Sequence, residues 1–304
     1  GMHQLMRELR AVVDEYPDRV LIGETDDLSY YGSGADELHL VFNFPLMRTD
    51  RITPDWARAN QTVRLAGLPS GAWPCNTLGN HDSARMYSHF GDGQHNDQIA
   101  RLNLALLLTL KGTPVLYNGE EIGMNDYLIL DVNRFRDPLG NRAFQLETEL
   151  LQSPPEEALV YAALNGRDKC RTPFQWENAP HAGFCPPEVE PWLPVNPDYT
   201  QGVNLAEQID EPGSMFQYYR TLLHLRRENP ALVSGGYEVL EAENADCLLF
   251  RRTGAEQICV VALNYSEREQ PVVLPQSARV IFSSVGQGKA QSALAPFEVR
   301  ILEA

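Results

Sequence analysis

The chain has 304 residues, 43% hydrophobic and 22% charged, the balance of an ordinary soluble protein with enough length for two domains. Its 25 Lys and Arg against 41 Asp and Glu give a formal charge of −16, and no basic run interrupts that background. Nucleic acid and anionic membranes are therefore excluded as partners, whereas neutral molecules such as sugars are compatible.

The most apolar stretch, LNLALLLTL at 102–110, is far shorter than the roughly 20 residues a spanning helix needs. Arg7, Glu8, Arg10, Asp14 and Glu15 interrupt the start, so a secretory leader is not expected there. Cysteines stand at 75, 170, 185, 247 and 259, an odd set without a C-x-x-C pair. That pattern indicates neither a disulfide framework nor a zinc site and favours a reducing, cytoplasmic location. Cys75 and Cys259 lie in apolar runs and read as small core residues.

In chain order, HQLMRELRAVVDEY places Leu5, Leu9, Val12 and Val13 at helical spacing, and Pro17 ends that helix before the strand RVLIGE at 19–24. A second buried run, LHLVFNF at 38–44, precedes the helix TPDWARANQTVRLAGL, which Thr53 caps and Pro54 opens. WPCNTL at 73–78 is the third strand candidate. NDQIARLNLALLLTLKG then forms a helix stopped by Gly112, and PVLYNG at 114–119 is the fourth strand. Alternation of this kind predicts an α/β fold with a parallel sheet.

Residues 125–212 combine a helical EEALVYAALNG with a long Pro-rich loop from Ala179 to Pro197. A last helix, SMFQYYRTLLHLRREN, carries Phe216, Tyr219, Leu222, Leu223 and Leu225 on one side. Beyond Pro230 only short strand-like runs follow: YEVLE, CLLFRR, QICVVALNY, QPVVL, ARVIFSS and PFEVRIL. The expected domains are thus 1–229 and an all-β, antiparallel 230–304, which lacks clustered carboxylates, histidines or metal-like spacing and would pack against the α/β part.

In parallel α/β folds reactive groups collect at the carboxyl ends of strands. Glu24 ends the first strand, Asn80, His81 and Asp82 follow the third, and Asn118, Glu120 and Glu121 follow the fourth. Taken in order, VLIGETDD, NTLGNHDSAR, GTPVLYNGEEIGM and RTPFQW resemble consecutive motifs of glycoside hydrolase family 13, the α-amylases and α-glucosidases. The likeness runs over nearly the whole chain. It implies strands five to eight of a TIM (β/α)8 barrel, a partial barrel, followed by the family's C-terminal β-domain.

By that resemblance Glu24 corresponds to the general acid/base, kept protonated by an apolar surround, and Asp82 to the carboxylate that stabilises positive charge at the anomeric carbon. His81 corresponds to a donor toward the same sugar, and Asn80 and Arg85 to groups that contact substrate or shape this loop. Blander readings exist: a strand-end Glu can cap a turn, and His-Asp after a strand can be an Asx-turn with a partly buried histidine. Four motifs in order weigh against both. Glu120 and Glu121 are expected to be structural, and Arg171, Gln175 and Trp176 to pack barrel against linker as an α-glucosidase-like signature.

The family's nucleophile sits in a G-F-R-x-D pattern on barrel strand four, and no such pattern occurs in this sequence. Asp26 and Asp27 stand too close to Glu24 to replace it. The resemblance therefore implies retaining hydrolysis or transglycosylation of α-glucosides or small oligosaccharides in the intact enzyme. The alternatives are an inactive sugar-binding remnant, or a half-enzyme completed by an N-terminal half-barrel or by a second copy of itself. Neither a cofactor nor a metal is implied, because an acetal needs only carboxylates and water.

Overall fold

A computed structural model describes residues 1–242, 244–275, 277–286 and 292–304. Helix and strand alternate first: α1 (Met2–Asp14), β1 (Ile22–Gly23), β2 (Leu40–Asn43), α2 (Phe44–Arg48), α3 (Pro54–Ala66), β3 (Cys75–Thr77), α4 (Met86–Phe90), α5 (Asn96–Thr109) and β4 (Thr113–Val115). Helices and turns follow, with α6 (Pro138–Gln145) running into a π-turn at Leu146–Leu150, then α7 (Pro155–Asn165), α8 (Leu205–Gln208), α9 (Met215–Glu228) and α10 (Pro230–Ser234). The last strands are β5 (Gly236–Leu240), β6 (Cys247–Thr253), β7 (Ile258–Asn264), β8 (Gln270–Pro271), β9 (Arg279–Ser283), β10 (Ala293–Leu294) and β11 (Val299–Glu303).

The chain forms two compact units, one of residues 1–78, 101–115 and 222–304, the other of 79–100 and 116–221. Both excursions into the second unit begin just after a strand, β3 or β4. In the first unit, β1 to β4 make a parallel sheet whose spatial order repeats the sequence order, with Ile22 opposite Leu40, Phe42 opposite Cys75 and Cys75 opposite Thr113. The ladder is shorter than the apolar runs because only two or three residues pair across each neighbour.

Buried polar groups in this sheet find partners, as they must away from water. Tyr31, fully buried, donates from its hydroxyl to Trp73 O (2.7 Å) and accepts from Val41 N (3.0 Å), tying β2 to β3. Asn43 donates to Asn76 Oδ1 (3.0 Å), and Asn76 donates to Lys111 O (3.0 Å). Arg64 of α3 donates to Asp26 O (2.7 Å) and to Val41 and Phe42 carbonyls. Thr53 caps α3 by accepting from Trp56 N. Gly112 has φ +128°, and a Cβ there would stand 2.7 Å from Pro74 O, so this turn into β4 requires glycine.

The C-terminal strands form an antiparallel sheet in the order β5-β6-β7-β11-β9, with β8 paired to β10 separately. Cys247, Leu249, Val260, Ala262, Leu294 and Leu302 build its core. Of the run QPVVL only Gln270–Pro271 pairs as strand. Within the same unit, buried Arg252 donates to Thr109 O (2.6 Å), Arg226 donates to Leu108 O (2.6 Å) and Gly112 O (2.7 Å), and Arg58 donates to Cys247 O. Cys75 and Cys259 are fully buried, and burial pushes their thiols up to about 12 and about 11.

The helical spacing expected for α1 holds, but none of its residues is buried. Met2, Leu5, Leu9 and Val12 are 42–56% exposed, and Val20 and Ile22 beside the edge strand β1 are exposed too. Polar contacts hold the helix instead: Arg7 pairs with Glu37 (2.7 Å), and Arg10 donates to Ala35 O (2.6 Å). Among the described residues no helix is long and apolar enough to cross a membrane.

Candidate active-site loops

Glu24 follows β1 in the first unit. A Cβ at Gly23 would come within 2.3 Å of Leu38 Cδ1, so a larger residue there would have to displace the Leu38 side chain. Glu24 itself is exposed and makes no hydrogen bond or ion pair among the described residues. The apolar surround expected for it is therefore corrected: neighbours in this unit are Thr25, Asp26 and Asp27, and Asp27 is occupied in accepting from Ser29 N (2.9 Å).

The loop after β3 belongs to the second unit. Asn80 Oδ1 accepts from Asp82 N (2.9 Å), the Asx-turn that the sequence allows, while His81 is exposed rather than partly buried. His81 Nε2 lies 3.3 Å from Asp82 Oδ1. That same oxygen accepts from Arg171 Nη2 (2.5 Å) and Arg167 Nη1 (3.1 Å). Arg171 Nε also donates to His81 O (2.6 Å), so one guanidinium binds both residues of the pair. Asp82 Oδ2 has no hydrogen-bond partner among the described residues, and the side chain is 35% exposed.

Arg85, expected among the groups that contact substrate, lies beneath the loop at 1% exposure. Its Nη1 donates to Asn118 O (2.7 Å), its main-chain N–H donates to Asp126 Oδ1 (2.8 Å), and its guanidinium stacks 5.0 Å from the Tyr117 ring centroid. It supports the loop, and burial removes it from contact with a sugar. Glu120 is also buried, accepts from Tyr117 N (3.1 Å), and sits where a Gly79 Cβ would be. Burial pushes its carboxyl up to about 7. Glu121 accepts from Gly119 N (2.8 Å), so both glutamates serve the turn.

Arg171 was expected to pack, but its side chain reaches Asp82, and Arg167 joins it there from a short 3-10 turn at Asp168–Cys170. Gln175 of the same signature does pack, fully buried and donating to Asp198 Oδ1 (2.7 Å). Asp137, which caps α6, accepts from Arg167 N (2.8 Å), Nε (3.2 Å) and Nη2 (2.8 Å). Burial would raise the Asp137 carboxyl, but Arg167 outweighs it and holds the group below the usual carboxylate range. The spacing of Arg167 and Arg171 in RDKCR was the available signal for this cluster; the 85 positions between Asp82 and Arg167 hid its target.

Residues 1–235 match the family model "Alpha amylase, catalytic domain". The chain is 29% identical to an oligo-1,6-glucosidase of Parageobacillus thermoglucosidasius over 99% of its length and 58% of that protein's. It is 32% identical to a probable alpha-glucosidase of Rhizobium meliloti, over 90% of this chain and 47% of that one. Among solved structures, a trehalulose synthase from Pseudomonas mesoacidophila superposes with a TM-score of 0.85 at 30% identity, covering 99% of this chain and 58% of the other. The chain thus spans about half the length of these relatives, 47–58%.

Proposed function

The chain belongs to the α-amylase catalytic-domain family, and from that premise we propose that it contributes the acid/base and the charge-stabilising carboxylate of a retaining α-glucosidase or transglycosidase. We read residues 1–229 as strands five to eight of the family barrel with their loops, and 230–304 as its β-domain. The observation that carries the reading is the position of Glu24 directly after β1 and of Asn80, His81 and Asp82 directly after β3 of one parallel sheet.

Each residue then has a task. Glu24 protonates the glycosidic oxygen and later takes a proton from the attacking water or sugar hydroxyl. Asp82, with Oδ1 held by two guanidinium groups, presents Oδ2 to a sugar hydroxyl and places a fixed charge near the oxocarbenium-like centre. His81, exposed beside it, donates to a neighbouring hydroxyl. The nucleophile, which retaining chemistry places about 5–5.5 Å from the acid, comes from another segment: an N-terminal half-barrel or a second copy of this chain. The open apolar face of α1 and the edge strand β1 support such a partner.

The test is hydrolysis of a chromogenic α-glucoside by the chain alone and with a separately expressed N-terminal half-barrel. Turnover that Glu24→Gln abolishes supports the reading. Absence of turnover in both conditions rejects it, and favours a sugar-binding remnant, the reading supported by the missing G-F-R-x-D pattern.

A further inference from the structure

The two guanidinium groups on Asp82 are held differently. Among the described residues the Arg171 guanidinium bonds only within the loop it grips, to His81 O and Asp82. Arg167 is anchored outside that loop: its Nη1 reaches Asp82, while its Nε, Nη2 and main-chain N–H all go to Asp137. The Asp137 side chain is fully buried. Behind it, Asp168 accepts from Asp137 N (3.0 Å) and Arg136 N (2.7 Å), fixing the backbone that carries Asp137.

We propose that Asp137 is a positioning residue for Asp82, acting through Arg167. A guanidinium is a planar fork, so a carboxylate that takes Nε and Nη2 fixes the direction in which Nη1 points. Nη1 and Arg171 together take Asp82 Oδ1, and this orients Oδ2 outward. A buried carboxylate is tolerated because it is paired: it caps α6 by accepting from Leu139 N, and the one cation it meets is Arg167. The inference rests on the role given to Asp82 in the proposed function, but the clamp itself can be tested apart from that role.

The experiment uses the full chain and three variants: Asp137→Asn, Asp137→Glu and Arg167→Lys. Asn still caps α6, so Asp137→Asn is expected to fold, which circular dichroism checks. In arginine-edited ¹H–¹⁵N spectra, the Arg167 Nε–H signal, assigned by its loss in Arg167→Lys, is expected to be shifted and slow to exchange. Asp137→Asn should return it to the free-arginine position and move the Asp82 ¹³Cγ signal. Should Asp137→Asn not fold, the same Asp82 displacement in Arg167→Lys, which keeps charge but loses the fork, carries the test. Calorimetric binding of the iminosugar 1-deoxynojirimycin is expected to weaken about tenfold in Asp137→Asn and to recover in part in Asp137→Glu. An Arg167 signal and an Asp82 signal indifferent to these changes would overturn the proposal. A chain that binds no iminosugar counts against the proposed function, while the two signals still decide the clamp.

Discussion

The loops after β1 and β3 carry Glu24 and Asp82 under opposite conditions. Glu24 is exposed and bare, whereas Asp82 is gripped on one oxygen by Arg167 and Arg171 and braced from below by Arg85 and Glu120. The difference fits the roles proposed for them. A group that passes a proton back and forth cannot be locked into one charge state by a permanent cation, while a group that only supplies negative charge gains from exactly such cations. Among the described residues the Asp82 loop is held by partners within its own unit, whereas the Glu24 side chain makes no hydrogen bond or ion pair.

The contrast can be broken most sharply at Glu24. In the assembled enzyme Glu24→Gln should lower kcat by about a thousandfold while leaving the urea midpoint of the isolated chain unchanged, because no contact is lost. A shift in that midpoint would mean the loop is not bare. At Glu120 the expected effect is on stability. Its folded pKa is about 7, raised from the ordinary 4.5. The folded state therefore favours the protonated form, so the associated stability is full below about pH 4.5 and declines as pH rises through about 7. Denaturant titrations at pH 5 and pH 8 should show the wild type losing up to roughly 3 kcal/mol more than Glu120→Gln.

Smaller effects follow at the partly exposed arginine. Arg171→Met should cost about 0.5–1 kcal/mol, since an ion pair that water still reaches contributes little, and the loss should shrink without vanishing in an Asp82→Asn background, where the Arg171 Nε bond to His81 O remains. Smallest is Leu9→Glu on α1, where a change below about 0.5 kcal/mol is expected because the side chain is already in water. Sedimentation should nevertheless show weaker self-association or weaker capture of an N-terminal half-barrel, and unchanged association would remove α1 from the proposed interface.

Much of the sheet was legible because its signals are local. Each of β1 to β4 lies inside an apolar run, helices separate β2 from β3 and β3 from β4, and Gly112 marks a turn that needs the positive φ of glycine. The openness of α1 was not legible, since Leu5, Leu9 and Val12 give a helical period whether or not anything covers them. Helix α6 was missed although Asp137 followed by Pro138 is an N-cap and first-turn pair, because Gly140 weakens the segment and its neighbours lack a clear apolar period. The Asp82 clamp was beyond reach for a different reason: Arg167 and Asp137 meet Asp82 only through tertiary folding, and nothing in spacing names a partner that distant.

The arginines that reach the end of α5 have one more effect. A helix presents unpaired carbonyls and a partial negative charge at its C-terminus. Arg226 and Arg252 bring two cations to Leu108 O, Thr109 O and the adjoining Gly112 O, so they satisfy the carbonyls and oppose the helix dipole together. Arg252 belongs to β6 and donates to Gly235 O and Gly236 O as well. The C-terminal sheet thus supplies one of the two cations that cap this helix, and cutting the chain before β5 would remove Arg252 while leaving Arg226 of α9 in place.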